Sequence, residues 1–182
     1  MNIILDPGHG MSNRKQGVYD PGAESDGITE AEIALEWANE LRAILKKRGA
    51  NVVRTRVDAK DPAPVGERAA IARRYKGDIM LSIHCNAATG TASGTETFYR
   101  GAQNKAQAKE LNNAVVDALG TRDRGVKTES ESQHTRLAVM SFQPCFLIEI
   151  GFIDNEHDRR LITDPERRKA ACEALADVLI SD

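Results

Sequence analysis

Two kinds of hydrophobic pattern alternate along this chain. Short runs, apolar at most positions, predict strands at Asn2–Asp6, Asn51–Thr55, Asp78–His84, Gly94–Tyr99 and Cys145–Ile150, with a weaker one at Arg136–Met140. Longer stretches with apolar residues at helical spacing predict helices over Thr29–Arg48, Pro64–Tyr75, Asn104–Leu119 and Asp164–Ile180. The last opens with Asp164 as N-cap and Pro165 at the first helical position. The run Asp-Ile-Met-Leu-Ser-Ile-His at 78–84 is apolar almost throughout, as expected of a strand covered on both faces. Strands alternating with helices of this length imply a layered α/β domain with a largely parallel sheet.

The helical stripe also singles out one carboxylate. Thr29-Glu30-Ala31-Glu32 reads as a capping box, with Thr29 as N-cap and Glu32 reaching back to it. The apolar face behind it is Ile33, Ala34, Trp37, Leu41, Ile44 and Leu45, and Glu30 falls in its middle. Glu32, Glu36 and Glu40 fall away from it. An acid in a first helical turn can simply favour the helix dipole. An inward carboxylate, however, needs a partner, because an unpaired buried charge is costly.

Three further polar residues close predicted strands: His9 in Asp6-Pro7-Gly8-His9-Gly10, His84, and Glu149 in Cys-Phe-Leu-Ile-Glu-Ile. Taken singly, each has an ordinary reading: a turn residue, a core histidine, a salt bridge at a sheet edge. Ligands of open α/β sheets, however, bind outside the carboxyl ends of the strands, and imidazole with carboxylate suits zinc. His9, His84 and Glu30 are therefore the expected ligands, ahead of Asp20, Glu24 and Asp26 in the loop before the helix. Three ligands leave an open position, the mark of a catalytic site. Glu149 beside it, among apolar neighbours that raise its pKa, is the expected proton carrier. His157 is expected to be exposed on a helix. His134, in the polar loop 128–135, is expected at the surface, with lining of a substrate groove as the alternative.

Composition narrows the class. A chain of 182 residues suffices for one domain with its own core. At 41% hydrophobic and 29% charged residues it matches ordinary globular proteins. A net charge of −2 carries no footprint for nucleic acid or an anionic membrane. The basic clusters Arg73-Arg74, Arg159-Arg160 and Arg167-Arg168-Lys169 are interleaved with acids and read as solvated helix faces. Cys85, Cys145 and Cys172 form no C-x-x-C pair, which argues against a disulfide framework or a cysteine zinc knuckle. They read as packing residues, Cys85 pointing to the face opposite His84. No phosphate-loop or dinucleotide fingerprint is present. No secretory signal or membrane span is visible, so the expectation is a chain made in the cytoplasm, or a piece of a larger exported protein.

Five blocks then resemble a known family. LDPGHG at 5–10, PGA at 21–23, TEAEIAL at 29–35, LSIHCNA at 81–87 and LIEIGFIDN at 147–155 are similar, in order, to the zinc-dependent N-acetylmuramoyl-L-alanine amidases of the amidase-3 family. The resemblance implies a single α/β domain over 1–182, with a twisted, mostly parallel sheet of about six strands flanked by helices. It implies one Zn²⁺ per chain on His9, Glu30 and His84, with Glu149 as the catalytic glutamate. The implied reaction hydrolyses the amide between N-acetylmuramic acid and L-alanine of the peptidoglycan stem peptide. Peptidoglycan is then the partner, with no nucleic acid, membrane or obligatory protein partner. Departures from the family are a longer loop between His9 and Pro21, Cys85 in place of a small residue, and a weak match over 100–135. That last stretch looks too short for an occluding regulatory helix, which implies an open site. Without visible leader or wall-binding repeats, the chain resembles the catalytic domain of a phage or prophage endolysin, or an autolysin, acting on the wall after release or export. The rival readings are a zinc peptidase cutting within the stem peptide and a non-catalytic wall-binding module.

Overall fold

The computed structural model describes residues 1–181. In chain order the elements are β1 (Asn2–Pro7), β2 (Gly10–Met11), β3 (Tyr19–Asp20), β4 (Glu24–Ser25), β5 (Ile28–Thr29), α1 (Glu30–Lys47), β6 (Asn51–Arg54), α2 (Arg68–Arg74), β7 (Ile79–Asn86), β8 (Thr95–Tyr99), α3 (Lys105–Leu119), β9 (Asp123–Thr128), β10 (Cys145–Phe152), α4 (Glu156–Thr163) and α5 (Pro165–Ile180). Six strands form one sheet in the order β6-β1-β7-β10-β8-β9. Pairing is parallel from β6 through β10, antiparallel between β10 and β8, and parallel again between β8 and β9. The remaining strands make two short hairpins, β2–β3 and β4–β5, in the 10–28 loop.

Alternation along the strands sends residues to two unequal layers. Ile3, Leu5, Ile79, Leu81, Ile83, Phe146 and Ile148 point into a large core with α1, α3 and α5, centred on Trp37, Leu41, Leu111 and Leu175. Ile4, Met80, Cys145, Leu147 and Phe98 point to a smaller core, covered by α2 and a 3-10 turn at Ala138–Ser141. Continuing the alternation puts Asp6, Ser82, His84, Glu96 and Glu149 on this second, thinly covered face. Register aligns them: Asp6 beside Ser82, His84 beside Glu149, and Glu149 beside Glu96.

The α1 capping box forms as expected, with Glu32 N–H donating to Thr29 Oγ1 at 3.2 Å and Thr29 N–H to Glu32 Oε2 at 3.1 Å. Asp164 caps α5, with Pro165 in its first turn. Four expectations need correction. Arg136–Met140 is no strand; its apolar residues form the 3-10 turn and bury Val139 and Met140 in the second core. The sixth strand is instead β9, Asp-Arg-Gly-Val-Lys-Thr, an edge strand with no fully buried residue and therefore no apolar run to announce it. The helix expected over Pro64–Tyr75 starts only at Arg68, the preceding residues forming a turn. Arg159 and Arg168 are largely covered rather than on a solvated face: Arg159 is tucked against Ser25, Asp26 and the Ile153 carbonyl, and Arg168 pairs with Glu36. All three cysteines are buried and free, with Cys85 in the large core, opposite His84. Among the described residues, no helix is long and apolar enough to cross a membrane.

Candidate functional site

The turn after β1 is built around close approach. Gly8 donates its N–H to the Ile83 carbonyl at 3.0 Å and lies against the His84 ring, leaving no room for a Cβ. His9 itself takes the left-handed backbone, with φ 57°, a conformation costing about 1–2 kcal/mol for a residue with a side chain. Arg68 holds it there by donating to the His9 carbonyl at 2.6 Å. Gly22, with φ 70°, lies equally close to Glu30 and to the His9 ring.

These approaches bring His9, Glu30 and His84 together, their donor atoms within 4.8 Å of one another. Glu30 Oε1 lies 3.1 Å from His9 Nε2 and 2.8 Å from His84 Nδ1. It also accepts from the Cys85 N–H at 3.1 Å, while Oε2 accepts from the Ala23 N–H at 3.0 Å. Two donors on one tetrahedral metal, with bonds of about 2.0–2.1 Å, stand roughly 3.3 Å apart. The spacing and the two-imidazole, one-carboxylate chemistry therefore fit a metal such as zinc. Burial alone would raise the Glu30 carboxyl, but hydrogen bonds from His84 and His9 outweigh it and hold the carboxyl far below its ordinary range. Burial alone would lower His9, but Glu30 and then Asp20 outweigh it and raise its pKa.

Asp20 is not among the clustered donors. Its Oδ2 lies 3.1 Å from His9 Nδ1 and accepts from Asn13 Nδ2 at 2.6 Å, and its Oδ1 accepts from the Gly22 N–H. A proton on Nδ1, held by Asp20, leaves the Nε2 lone pair for the cluster. Glu24 and Asp26 lie away from it on the β4–β5 hairpin, Asp26 paired with Arg159.

Glu149 lies across the sheet from both His84 and Glu96. Its Oε2 is enclosed and has no hydrogen-bond partner among the described residues. Burial, with the charges of Glu30 and Glu96, pushes its carboxyl well above the ordinary range. Glu96 behaves oppositely. Burial alone would raise it, but Lys127 Nζ at 2.6 Å and Arg124 Nε at 2.7 Å hold it below the ordinary range, and Asn86 donates at 2.9 Å. Neighbouring carboxyls with pKa values driven apart are a common basis for dividing charge and proton between two groups. The sequence reading missed Glu96 and its cations, because β9, which carries both cations, was not recognised as a strand. Its one signal was position: Glu96 alternates onto the same face as Phe98.

Above these groups lies a cavity of about 560 Å³. The 10–28 loop contributes Asn13, Arg14 and Asp20 to its lining, and the segment 131–139 contributes His134, Arg136 and Leu137. His134 thus lies both on an exposed loop and on the groove wall. His157 is exposed on α4, remote from this lining. Two buried arginines at the base of the site, of which Arg68 is part of the cavity lining, went unread in the sequence. Arg68 pairs with Asp6 at 2.7 Å, and Asp6 also accepts from Ser82 and Thr55. Arg56 is fully buried and donates to backbone carbonyls.

A mostly parallel sheet with His9, His84 and Glu149 at its strand ends, and Glu30 beside them at the start of α1, defines the class: a layered α/β domain whose site lies outside the carboxyl ends of the strands. The sequence profile described as N-acetylmuramoyl-L-alanine amidase matches residues 3–181. The chain belongs to that family. It is 34% identical over 179 residues to the uncharacterized protein YqiI of Bacillus subtilis, spanning 96% of this chain and 81% of that protein. It is 32% identical over 184 residues to the N-acetylmuramoyl-L-alanine amidase LytC of B. subtilis, spanning 98% of this chain but 35% of LytC. Among solved structures, the catalytic domain of the amidase CwlV from Bacillus (Paenibacillus) polymyxa var. colistinus superposes with a TM-score of 0.84 at 26% identity, covering 98% of this chain and 95% of that one.

Proposed function

We propose that this chain is a zinc-dependent hydrolase that splits the amide between N-acetylmuramic acid and the L-alanine of the stem peptide, working at the bacterial cell wall after release or export, as an endolysin or autolysin does. The observation that carries this reading is the cluster of His9, Glu30 and His84 beside an enclosed, unpartnered Glu149 oxygen. Zinc held by those three residues would supply Lewis acidity to the amide carbonyl and lower the pKa of water to about 7. Glu149, as the carboxylate, takes a proton from the attacking water, the raised proton affinity of its buried site favouring that transfer, and delivers it to the departing alanine amine. Asp20 keeps the proton of His9 on Nδ1, so Nε2 remains a ligand. Glu96, tied to Lys127 and Arg124, stays charged beside Glu149 and keeps that carboxyl's proton affinity high.

Two measurements test the proposal. Digestion of sacculi should release stem peptides that begin with L-alanine, read by mass spectrometry; cuts confined to the interior of the peptide would support the peptidase reading instead. Glu149→Ala should keep one zinc per chain while losing about 10²–10⁴ in turnover, the usual contribution of a positioned acid–base. Normal lysis by that variant would remove Glu149 from the mechanism and favour another proton carrier.

A further inference from the structure

We infer that Arg56 is a positioning residue that sets the spacing between two metal ligands by bracing the His9 loop against the start of α1. The inference rests on His9, Glu30 and His84 being the ligands, and it concerns how the fold holds them at binding distance.

Arg56 is fully buried. Its Nε donates to the Pro7 carbonyl at 3.1 Å, and its Nη2 donates to the Gly8 carbonyl at 2.8 Å and the Ala31 carbonyl at 2.6 Å. Pro7 and Gly8 immediately precede His9, and Ala31 immediately follows Glu30. One nitrogen therefore touches the backbone of both ligand-bearing segments. Among the described residues, no main-chain hydrogen bond joins those segments directly: Gly8 N–H goes to Ile83, while Glu30 and Ala31 N–H go to Ala23 and Pro21.

The neighbouring Arg68 has a different task. It is charge-paired with Asp6 and ties the loop to the α2 side through the Pro7, His9 and Ala63 carbonyls and Asn13. Among the described residues, Arg56 has no carboxylate hydrogen-bond partner; every partner is a main-chain carbonyl, the remaining contact being Asp58 O at 3.4 Å. A buried guanidinium without a counter-carboxylate is costly. The planar fork reaches these carbonyls from three separately placed nitrogens, whereas the three donors of a lysine ammonium all sit on one nitrogen. The loop also closes over the side chain: a Cβ at Gly10 would lie 2.7 Å from Arg56 Nε. Sites of this kind need ligands held to within about 0.5 Å, so loosening one brace shows first in metal affinity.

The test compares Arg56→Lys with wild type by chelator competition for Zn²⁺, by the visible spectrum of the Co²⁺-loaded protein and by thermal unfolding of the metal-free protein. Leu111→Ala, in the α3 core away from the site, serves as a destabilised control. Arg56→Lys is expected to bind zinc about 10–100-fold more weakly, the range for partners that orient ligands, and to change the cobalt spectrum. Leu111→Ala is expected to unfold at lower temperature with wild-type affinity and spectrum. Wild-type affinity in Arg56→Lys, or equal weakening in Leu111→Ala, overturns the brace while leaving the zinc reading intact. Absence of zinc binding by the wild-type protein overturns both. If Arg56→Lys does not fold, Gly10→Ala displaces the guanidinium without deleting it, and undiminished zinc affinity in that variant overturns the brace.

Discussion

At Gly8, a Cβ would stand 2.3 Å from Cε1 of His84, a distance no real contact reaches, and the group it meets is a ring with little freedom to retreat. At Gly22 it would stand 2.5 Å from Glu30 Oε2 and 2.8 Å from the His9 ring. Each glycine thus makes space for a ligand elsewhere in the chain. Of the two glycines flanking His9, Gly10 takes φ 97° and bends the turn beside the left-handed His9, while Gly8 makes room for the His84 ring. Gly8→Ala should therefore leave the far-ultraviolet circular dichroism close to wild type and weaken zinc binding by at least about tenfold, the scale seen when ligand orientation is disturbed. Unchanged affinity in a chelator titration would mean the ring can move aside.

At the scale of elements, α1 does two jobs from one register. Its box of Thr29 and Glu32 satisfies first-turn N–H groups, and its apolar stripe turns Glu30 inward beneath the groove. Thr29→Ala should cost about 1 kcal/mol of stability in chemical denaturation, the usual loss for an N-cap threonine. Glu30 is anchored separately by the Ala23 and Cys85 N–H groups, so zinc affinity should change much less than in Gly8→Ala. This element was legible because helical periodicity is local, and one inward acid stands out against it. The Arg136–Met140 segment was not legible. Leu-Ala-Val-Met suits a short strand or a helical turn equally, and only its packing beneath Leu147 and Phe98 in the second core selects the turn.

Across the whole molecule, the sheet joins a parallel part that carries His9, His84 and Glu149 to a reversed pair, β8 and β9, that carries Glu96 and its cations. The edge strand β9 is fastened inward by Arg124 and Lys127, with Arg124 also 4.9 Å above the Phe152 ring. Because the folded state lowers the Glu96 pKa, its ionisation stabilises the fold above the ordinary glutamate value of about 4.3. That contribution is lost as pH falls from there through the lower folded value. Wild type should therefore exceed Glu96→Gln in melting temperature near pH 7, with the gap closing below about pH 4.3. A gap constant down to pH 3 would show that the cluster is not held by charge.

What the sequence by itself determined is whatever depends on neighbours a few residues apart. That covers the alternation of strands and helices, the caps at Thr29 and Asp164, the inward register of Glu30 and the strand-end positions of His9, His84 and Glu149. Tertiary structure decided the rest, because the partners come from distant segments. Arg56 finds its carbonyls 25 and 48 residues away, and Glu96 finds its cations 28 and 31 residues away. Polar side chains with no apolar period leave no trace in a linear pattern. Their meaning comes from burial, which turns a polar group without a partner into a cost and so selects the fold that supplies one.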